Sequence, residues 1–404
     1  MSRIDELIAE LCPEGVPFRQ LGDVVERNVG GGTPSRSRSD YWGGDVQWAS
    51  VGDITATSLT VETTRQQITS AGLANSSSNI IPQGWVVVAV KIAPGAMRVV
   101  EHDMAINQDI RGLRLTSTVN PYFLAYYFQI LNITGNGTIV KGITNKALMK
   151  VEVPVPPLEI QLEIVRILDT FSKMEAALEA ELEARKQQYE HYRHELLIEA
   201  ETIGIPTELG QLGRIVTGRT PKASDTLSWG DDIDFITPSD IKNGMKRVSS
   251  PARRLSSSGA ESLAKAIVPA GSLLVTCIGA DMGKTILNVN SCATNQQINS
   301  ITLNPGIDTD FVFHVLTSMR NKIRAQGERA GGTMPIINKS DFSKIRISLP
   351  PLPEQKRIAA ILDKFDSLVN DLSSGLPAEL SARRQQYEYY RDKLLTFKEL
   401  EPAS

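Results

Sequence analysis

PPLEIQLEIVRILDTF at residues 156–171 and PPLPEQKRIAAILDKF at 350–365 are two versions of one segment, and each opens a long stretch with helical spacing. The first runs without internal glycine or proline into ARKQQYEHYRHELL at 184–197. Along it, Ile164, Leu168, Phe171, Glu175, Leu178, Leu182, Arg185, Tyr189, Tyr192 and Leu196 step by alternating fours and threes, which is a heptad seam. The second version carries the seam through Ile358, Leu362, Phe365, Leu380, Tyr387 and Tyr390, and closes with ARRQQYEYYRDKLL at 382–395. It contains one extra step of four that coincides with Gly375 and Pro377, so a kink or a break is expected there. A helix from Leu158 to Glu201 would be ~66 Å long at ~1.5 Å per residue, which is the dimension of a spacer. A lone seam would serve equally well to join two chains. Two seams of similar length in one chain favour pairing within the chain, with the helices antiparallel because a globular copy lies between them.

Outward from these segments the whole chain of 404 residues resolves into two copies of one plan. Gln20-Leu21-Gly22 matches Gln211-Leu212-Gly213, Thr33-Pro34 matches Thr220-Pro221, Trp42-Gly43 matches Trp229-Gly230, and Asp53-Ile54 matches Asp240-Ile241. IIPQG at 80–84 then answers IVPAG at 267–271, Asn107-Gln108 answers Asn295-Gln296, and Asn145-Lys146 answers Asn338-Lys339. The order divides the chain into a globular part at 1–155, a spacer helix at 156–203, a second globular part at 204–349 and a second spacer helix at 350–404. Within the globular parts, short β-rich runs such as WVVVAV (85–90), SLLVTCI (272–278) and INSITL (298–303) alternate with helical runs such as PYFLAYYFQIL (121–131) and DFVFHVLTSMRNKI (310–323). A mixed α/β fold with a mostly antiparallel sheet is expected in each.

Composition limits what these units can do. The net charge of −3 is uneven: 0 over residues 1–150, −7 over 151–203, +5 over 204–349 and −1 over 350–404. An overall pI near 6.0 is therefore compatible with a nucleic-acid partner, because attraction depends on charge within about 8 Å in physiological salt. It predicts weak DNA affinity for the chain alone. The three cysteines form no CxxC pair, and the four histidines are scattered, so neither a disulfide framework nor a zinc site is indicated. Asp5, Glu6 and Glu10 interrupt any apolar leader, which points to the cytoplasm.

The glycine-rich openings NVGGGTPSRSRSDYWGGD and VTGRTPKASDTLSWGDD mix flexible backbone with groups suited to phosphates and base edges. Candidate DNA-binding residues there are Thr33, Ser35, Arg36, Arg38, Tyr41 and Trp42 in the first copy, and Arg219, Thr220, Lys222 and Trp229 in the second. Further basic candidates are Lys91, Arg98 and Lys141, then Lys242, Lys246, Arg247, Lys284 and Arg329, with Arg253, Arg254 and Arg324 in the same pool. A solvated surface loop is the competing reading for any one of them. Catalytic motifs fail on inspection. GADMGKT (279–285) has three residues between its glycines where a phosphate cradle needs four, and Glu354-Gln355-Lys356 sits at a helix start, where acid favours the dipole. No Asn-Pro-Pro-Tyr or Asp-Pro-Pro-Tyr tetrapeptide is present to hold a flipped adenine.

Taken together, the twice-used TP…WG…DI opening, the paired IP-x-G and Asn-Gln, and the paired PPL-x-x-Q…I-x-x-LD-x-F make the chain resemble the specificity subunit of a type I restriction-modification system. The resemblance implies two α/β target recognition domains in a pseudo-twofold repeat, separated by two antiparallel helices forming an intramolecular coiled coil. It further implies that each domain reads half of an asymmetric double-stranded DNA site. The helices would set the spacing and dock two methyltransferase subunits, with restriction-translocase subunits joining later. S-adenosylmethionine, ATP and Mg would then belong to those partners, leaving this chain without catalytic, metal or cofactor residues. The competing reading is a protein-interaction scaffold with duplicated domains.

Overall fold

The computed structural model describes residues 3–55, 59–135, 141–222, 224–242, 244–329, 334–371 and 374–401. It resolves into two compact units, Met1–Glu175 together with Arg383–Ser404, and Ala176–Ala382, the division falling inside a single helix that runs from Leu158 to Ile203.

In the first unit a five-stranded sheet runs in the order Val25–Gly30, Ile110–Leu115, Val86–Ala89, Met97–Val100, Thr60–Val61. A four-stranded sheet runs Gln66–Ile68, Trp42–Ala49, Met104–Ile106, Ile80–Ile81, and Phe18–Gln20 pairs with Glu152–Pro154. The second unit repeats the plan. Its five strands run Gly213–Thr217, Ile298–Leu303, Leu273–Thr276, Thr285–Asn288, Arg247–Val248. Its other sheet runs Arg253–Leu255, Trp229–Ile236, Cys292–Thr294, and Ile205–Glu208 pairs with Arg346–Leu349. Pairing is mostly antiparallel, with two parallel contacts at matching places in each unit.

The strand Val86–Ala89 explains why β-branched runs were so plain in the sequence. All four residues are buried, and they alternate between two cores: Val86 and Val88 join the one that holds the helix Pro121–Ile130, while Val87 and Ala89 join the other. Leu273 and Val275 against Leu274 divide in the same way in the second unit. The helix Pro121–Ile130 starts where Asn120 accepts from the N–H groups of Tyr122 and Phe123, with Pro121 in its first turn. The glycine of each IP-x-G motif, Gly84 and Gly271, has positive φ (81° and 76°), a conformation that L side chains rarely adopt. Burial pushes the thiols of Cys277 and Cys292 up to about 11 and about 12, so both behave as small core groups.

Each part of the closing segments packs within the unit to which it belongs. Ile164 and Leu168 are fully buried in the first core, and Phe171 stacks on Tyr390 at 5.6 Å while touching Tyr387 at 6.4 Å. Glu175 pairs with Arg384 at 2.6 Å, so contacts descend one helix as they ascend the other, which is antiparallel. In the second unit Tyr189 and Tyr192 stack on Phe365 at 6.2 and 5.3 Å, Glu199 pairs with Arg357 at 2.8 Å, and Ile358 and Leu362 are buried with Leu182 packed beside them. Leu178 is half-buried and Leu380 buried. Both expected seams therefore face neighbours in the same chain. The second closing segment is two helices, Leu352–Asn370 and Leu376–Leu395, separated at the extra step near Gly375, and from Thr396 the chain leaves the helix. Glu399 bridges Val16, and Phe397 meets Phe123 at 6.2 Å.

The glutamine of each PPL-x-x-Q motif has a defined task. Buried Gln161 accepts from the N–H of Asn120 at 2.7 Å and donates to the carbonyl of Pro156 at 2.7 Å. Gln355 accepts from Asp308 at 2.8 Å and donates to Pro350 at 2.7 Å. In both copies the side-chain amide ties the start of the closing helix to the cap of the domain helix. Glu354, read as a first-turn acid, forms an ion pair with Arg357, whose guanidinium holds its carboxyl below the ordinary range.

Candidate nucleic-acid interface

The framework of the site is built twice from the same contacts. Thr33 donates its hydroxyl to Gln108 Oε1, and Thr220 donates to Gln296 Oε1 at 2.8 Å. Asn107 accepts from the N–H of Asp109 at 3.0 Å, and Asn295 from that of Gln297 at 3.2 Å. The repeated Asn-Gln dipeptide is thus a turn device followed by a tether. Trp42 meets Trp48 edge to face at 5.2 Å, and Trp229 meets Phe235 the same way at 5.1 Å. A bulge produces this. Trp42 and Val46 both face Ile68, and Trp229 and Ile233 both face Leu255, so each tryptophan is lifted out of regular register. Asp53 accepts from Ser50 N–H at 2.8 Å and Arg65 N–H at 3.1 Å, and Asp240 does so from Thr237 and Ala252 at 2.8 and 2.9 Å. Burial pushes the Asp53 carboxyl up, but the Arg65 and Ser50 hydrogen bonds outweigh it and hold the group below its usual range.

Around this common frame the side chains differ. In the first unit a cavity of about 660 Å³ is lined by Thr33, Arg36, Trp48, Arg65, Gln66, Gln108 and Asp109 among others. The Arg36 guanidinium lies 5.7 Å from the Trp42 ring, and the Trp42 indole donates to the Ser35 carbonyl at 3.2 Å. Arg38 sits over Tyr41 at 4.7 Å and grips Asp40 through two bonds at 2.8 and 2.7 Å. In the second unit Arg253 takes the strand position of Gln66 and stacks on Trp229 at 3.4 Å, while Ala252 stands where Arg65 does. Arg219, Thr220 and Lys222 are exposed on the loop that leads there.

The other basic candidates divide. Lys91 pairs with Asp109 at 3.1 Å and lines a neighbouring cavity that shares Gln108 and Asp109 with the first, and exposed Lys141 borders it through a backbone contact to Ile92. Arg98 turns inward. It donates to the Met97 carbonyl at 2.7 Å, and burial lowers its pKa. Lys246 bridges Asp310 and Asp363, Arg247 pairs with Asp310 at 3.1 Å, and Lys284 pairs with Asp281 at 2.8 Å, so each of the three carries an ion pair within the unit. Lys242 lines a separate cavity of about 370 Å³ with Lys186 and Arg320, and exposed Arg329 follows the helix Arg320–Glu328. Sequence reasoning missed Arg65, Gln66, Gln108 and Asp109 as site residues. The Asn-Gln repeat was the available signal for Gln108; Arg65 and Gln66 join only through strand register.

Comparison with known proteins places this geometry in a family. The model of the type I restriction modification DNA specificity domain matches twice, at residues 13–185 and 206–382. The chain is 33% identical over 271 residues to the type I restriction enzyme EcoR124I/EcoR124II specificity subunit of Escherichia coli, covering 65% of this chain and 67% of that one. It is 31% identical over 300 residues to a putative type I restriction enzyme specificity subunit of Haemophilus influenzae, covering 69% and 73%. The fold is similar to that of the type I restriction-modification S subunit from M. genitalium, with a TM-score of 0.58 at 13% identity over 94% of this chain and 96% of that one. Two matches of one domain over most of the sequence, on a framework built twice, mean that the chain belongs to the family of type I restriction-modification DNA specificity subunits.

Proposed function

We propose that this chain reads DNA for a type I restriction-modification assembly in the cytoplasm. Each unit reads one half of an asymmetric two-part site in double-stranded DNA, and the helices fix the distance between the halves. They also dock two methyltransferase subunits, which restriction-translocase subunits join. Adenine methylation with S-adenosylmethionine and cleavage with ATP and Mg belong to those partners, and this chain holds no cofactor and catalyses nothing itself.

One observation carries the reading: the tether Thr33–Gln108 and the ring pair Trp42–Trp48 recur as Thr220–Gln296 and Trp229–Phe235, while Arg65 and Gln66 are replaced by Ala252 and Arg253. A constant frame with changed hydrogen-bonding groups suits two readers of different sequences. The relatives' names and the fold likeness to an S subunit support it. The test is sequencing of methylated bases in cells carrying this chain with its neighbouring methyltransferase gene. A two-part motif with dissimilar halves is expected. Methylation independent of this chain would overturn the proposal.

A further inference from the structure

Among the described residues Ile92 is the one non-glycine with positive φ, at 68°. It is β-branched, which makes that conformation strained, and it stands at the centre of a three-residue turn closed by the Ala93 N–H on the Lys91 carbonyl at 2.7 Å. The turn is rigidly held. Ile92 donates its own N–H to the Lys141 carbonyl at 2.9 Å, and Lys91 bridges Gly142. For this conformational cost the chain gains no core contact, since the side chain is 64% exposed. It protrudes beside Lys91, Gln108 and Asp109, the last two of which also line the Thr33 cavity.

The second unit treats the same place differently. Gly279 occupies the matching position, donating to the Pro335 carbonyl at 3.1 Å as Ile92 does to Lys141, and its φ of 92° costs a glycine little. An apolar group is nevertheless present. Met334 is 57% exposed, and its sulfur lies 3.9 Å from where a Cβ on Gly279 would stand. Both units thus hold an exposed aliphatic or thioether group at one spot, supplied from different strands of the loop pair. Strain kept for an exposed side chain signals function rather than packing.

We infer that Ile92 is a specificity-determining residue that contacts the C5-methyl of a thymine in one half-site. This rests on the proposal that the first unit reads DNA. The polar neighbours Lys91, Gln108 and Asp109 can satisfy donors and acceptors on base edges, and the apolar feature those edges present in the major groove is the thymine methyl.

The experiment uses the whole chain purified with its methyltransferase partners. Duplexes carrying the mapped site are compared with duplexes in which each thymine is replaced in turn by uracil, which lacks only the methyl. One replacement, in one half-site, is expected to weaken binding about fourfold, the factor for one buried methyl-sized group. Ile92→Gly should bind both duplexes equally, relax the methylated motif at that base pair alone, and melt no lower than the parent, since glycine accepts the turn. An unchanged motif and unchanged uracil sensitivity in Ile92→Gly would overturn the inference. So would a base-unstacking signal from 2-aminopurine that needs Ile92 while no uracil matters, which would make the side chain a wedge instead. Failure of the DNA-reading proposal looks different, because the parent chain would then confer no motif at all.

Discussion

Asp363 accepts from Nε2 of His314 at 2.7 Å, and the same carboxylate holds Lys246, so one acid on a closing helix fastens two elements of the second globular unit. In the first unit the corresponding pair is Tyr126 and Asp169, also at 2.7 Å, where burial and then the Asp169 hydrogen bond raise the phenol's pKa. Position and partner are kept while the donor changes from phenol to imidazole. Burial pushes the Asp363 carboxyl up, but the hydrogen bonds from His314 and Lys246 outweigh this and leave it below its ordinary value. A carboxyl depressed in the folded state contributes stability that is complete above the unfolded pKa of about 3.9 and is lost as pH falls through the folded value. The denaturation midpoint of the second unit should therefore drop on acidification below about pH 4. Asp363→Asn should start lower at neutral pH and fall less steeply. Parallel slopes for the two proteins would remove Asp363 from the account.

Gln161 and Gln355 each accept from one part-buried N–H and donate to backbone carbonyls, Gln161 to those of Pro156 and Thr118 and Gln355 to that of Pro350. Replacing either with leucine keeps the bulk and strands these backbone groups, at a cost of about 2–4 kcal/mol. Urea unfolding of each single variant measures this. A change under about 0.5 kcal/mol, the range typical of surface substitutions, would mean the amide is not a latch.

The Arg253 guanidinium lies over the Trp229 ring, its carbon 3.4 Å from the ring centre, and the residue is exposed. If it reads a base edge, Arg253→Ala should relax one base pair of one half-site and lower affinity by about tenfold or more, from ~1–3 kcal/mol. If it touches phosphate alone, the motif should stay sharp while the slope of binding against salt falls by about one. Methylation mapping and a salt titration separate the two results. The first is expected.

Four residues inserted between Met174 and Leu182 would add about 6 Å of helix, nearly two base pairs at ~3.4 Å each. The proposed spacing role predicts a longer unread segment between unchanged half-sites. A changed half-site in the methylome of that variant would count against it.

Residues 15–150 include the whole Thr33–Gln108 frame of the first unit. Exchanging them for the same span of another family member should alter one half-site and leave the other as it was. Alteration of both halves would show that the two readers are not independent.

Much of this was open to inspection in the chain alone. The duplication could be read because motif order survives whatever the chain does in space. The seam could be read because heptad spacing is a property of covalent distance along a helix, and Ile164, Leu168, Ile358 and Leu362 are indeed buried. The break near Gly375 was legible for the same reason, being a count of residues between apolar positions.

Tertiary structure alone decided which charges remain available. Lys246 and Arg247 look like DNA ligands in a basic stretch, yet they are held by Asp310 and Asp363, acids as far as 117 residues away. Arg98 is turned inward, because successive residues of a strand alternate faces and its neighbours' pairing sets which face is inside. Arg65 and Gln66 reach the Thr33 cavity through strand register, and the strain at Ile92 is visible only as a backbone angle. Periodicity belongs to the chain and can be counted; the partner of a side chain depends on how distant segments register, which no local pattern encodes.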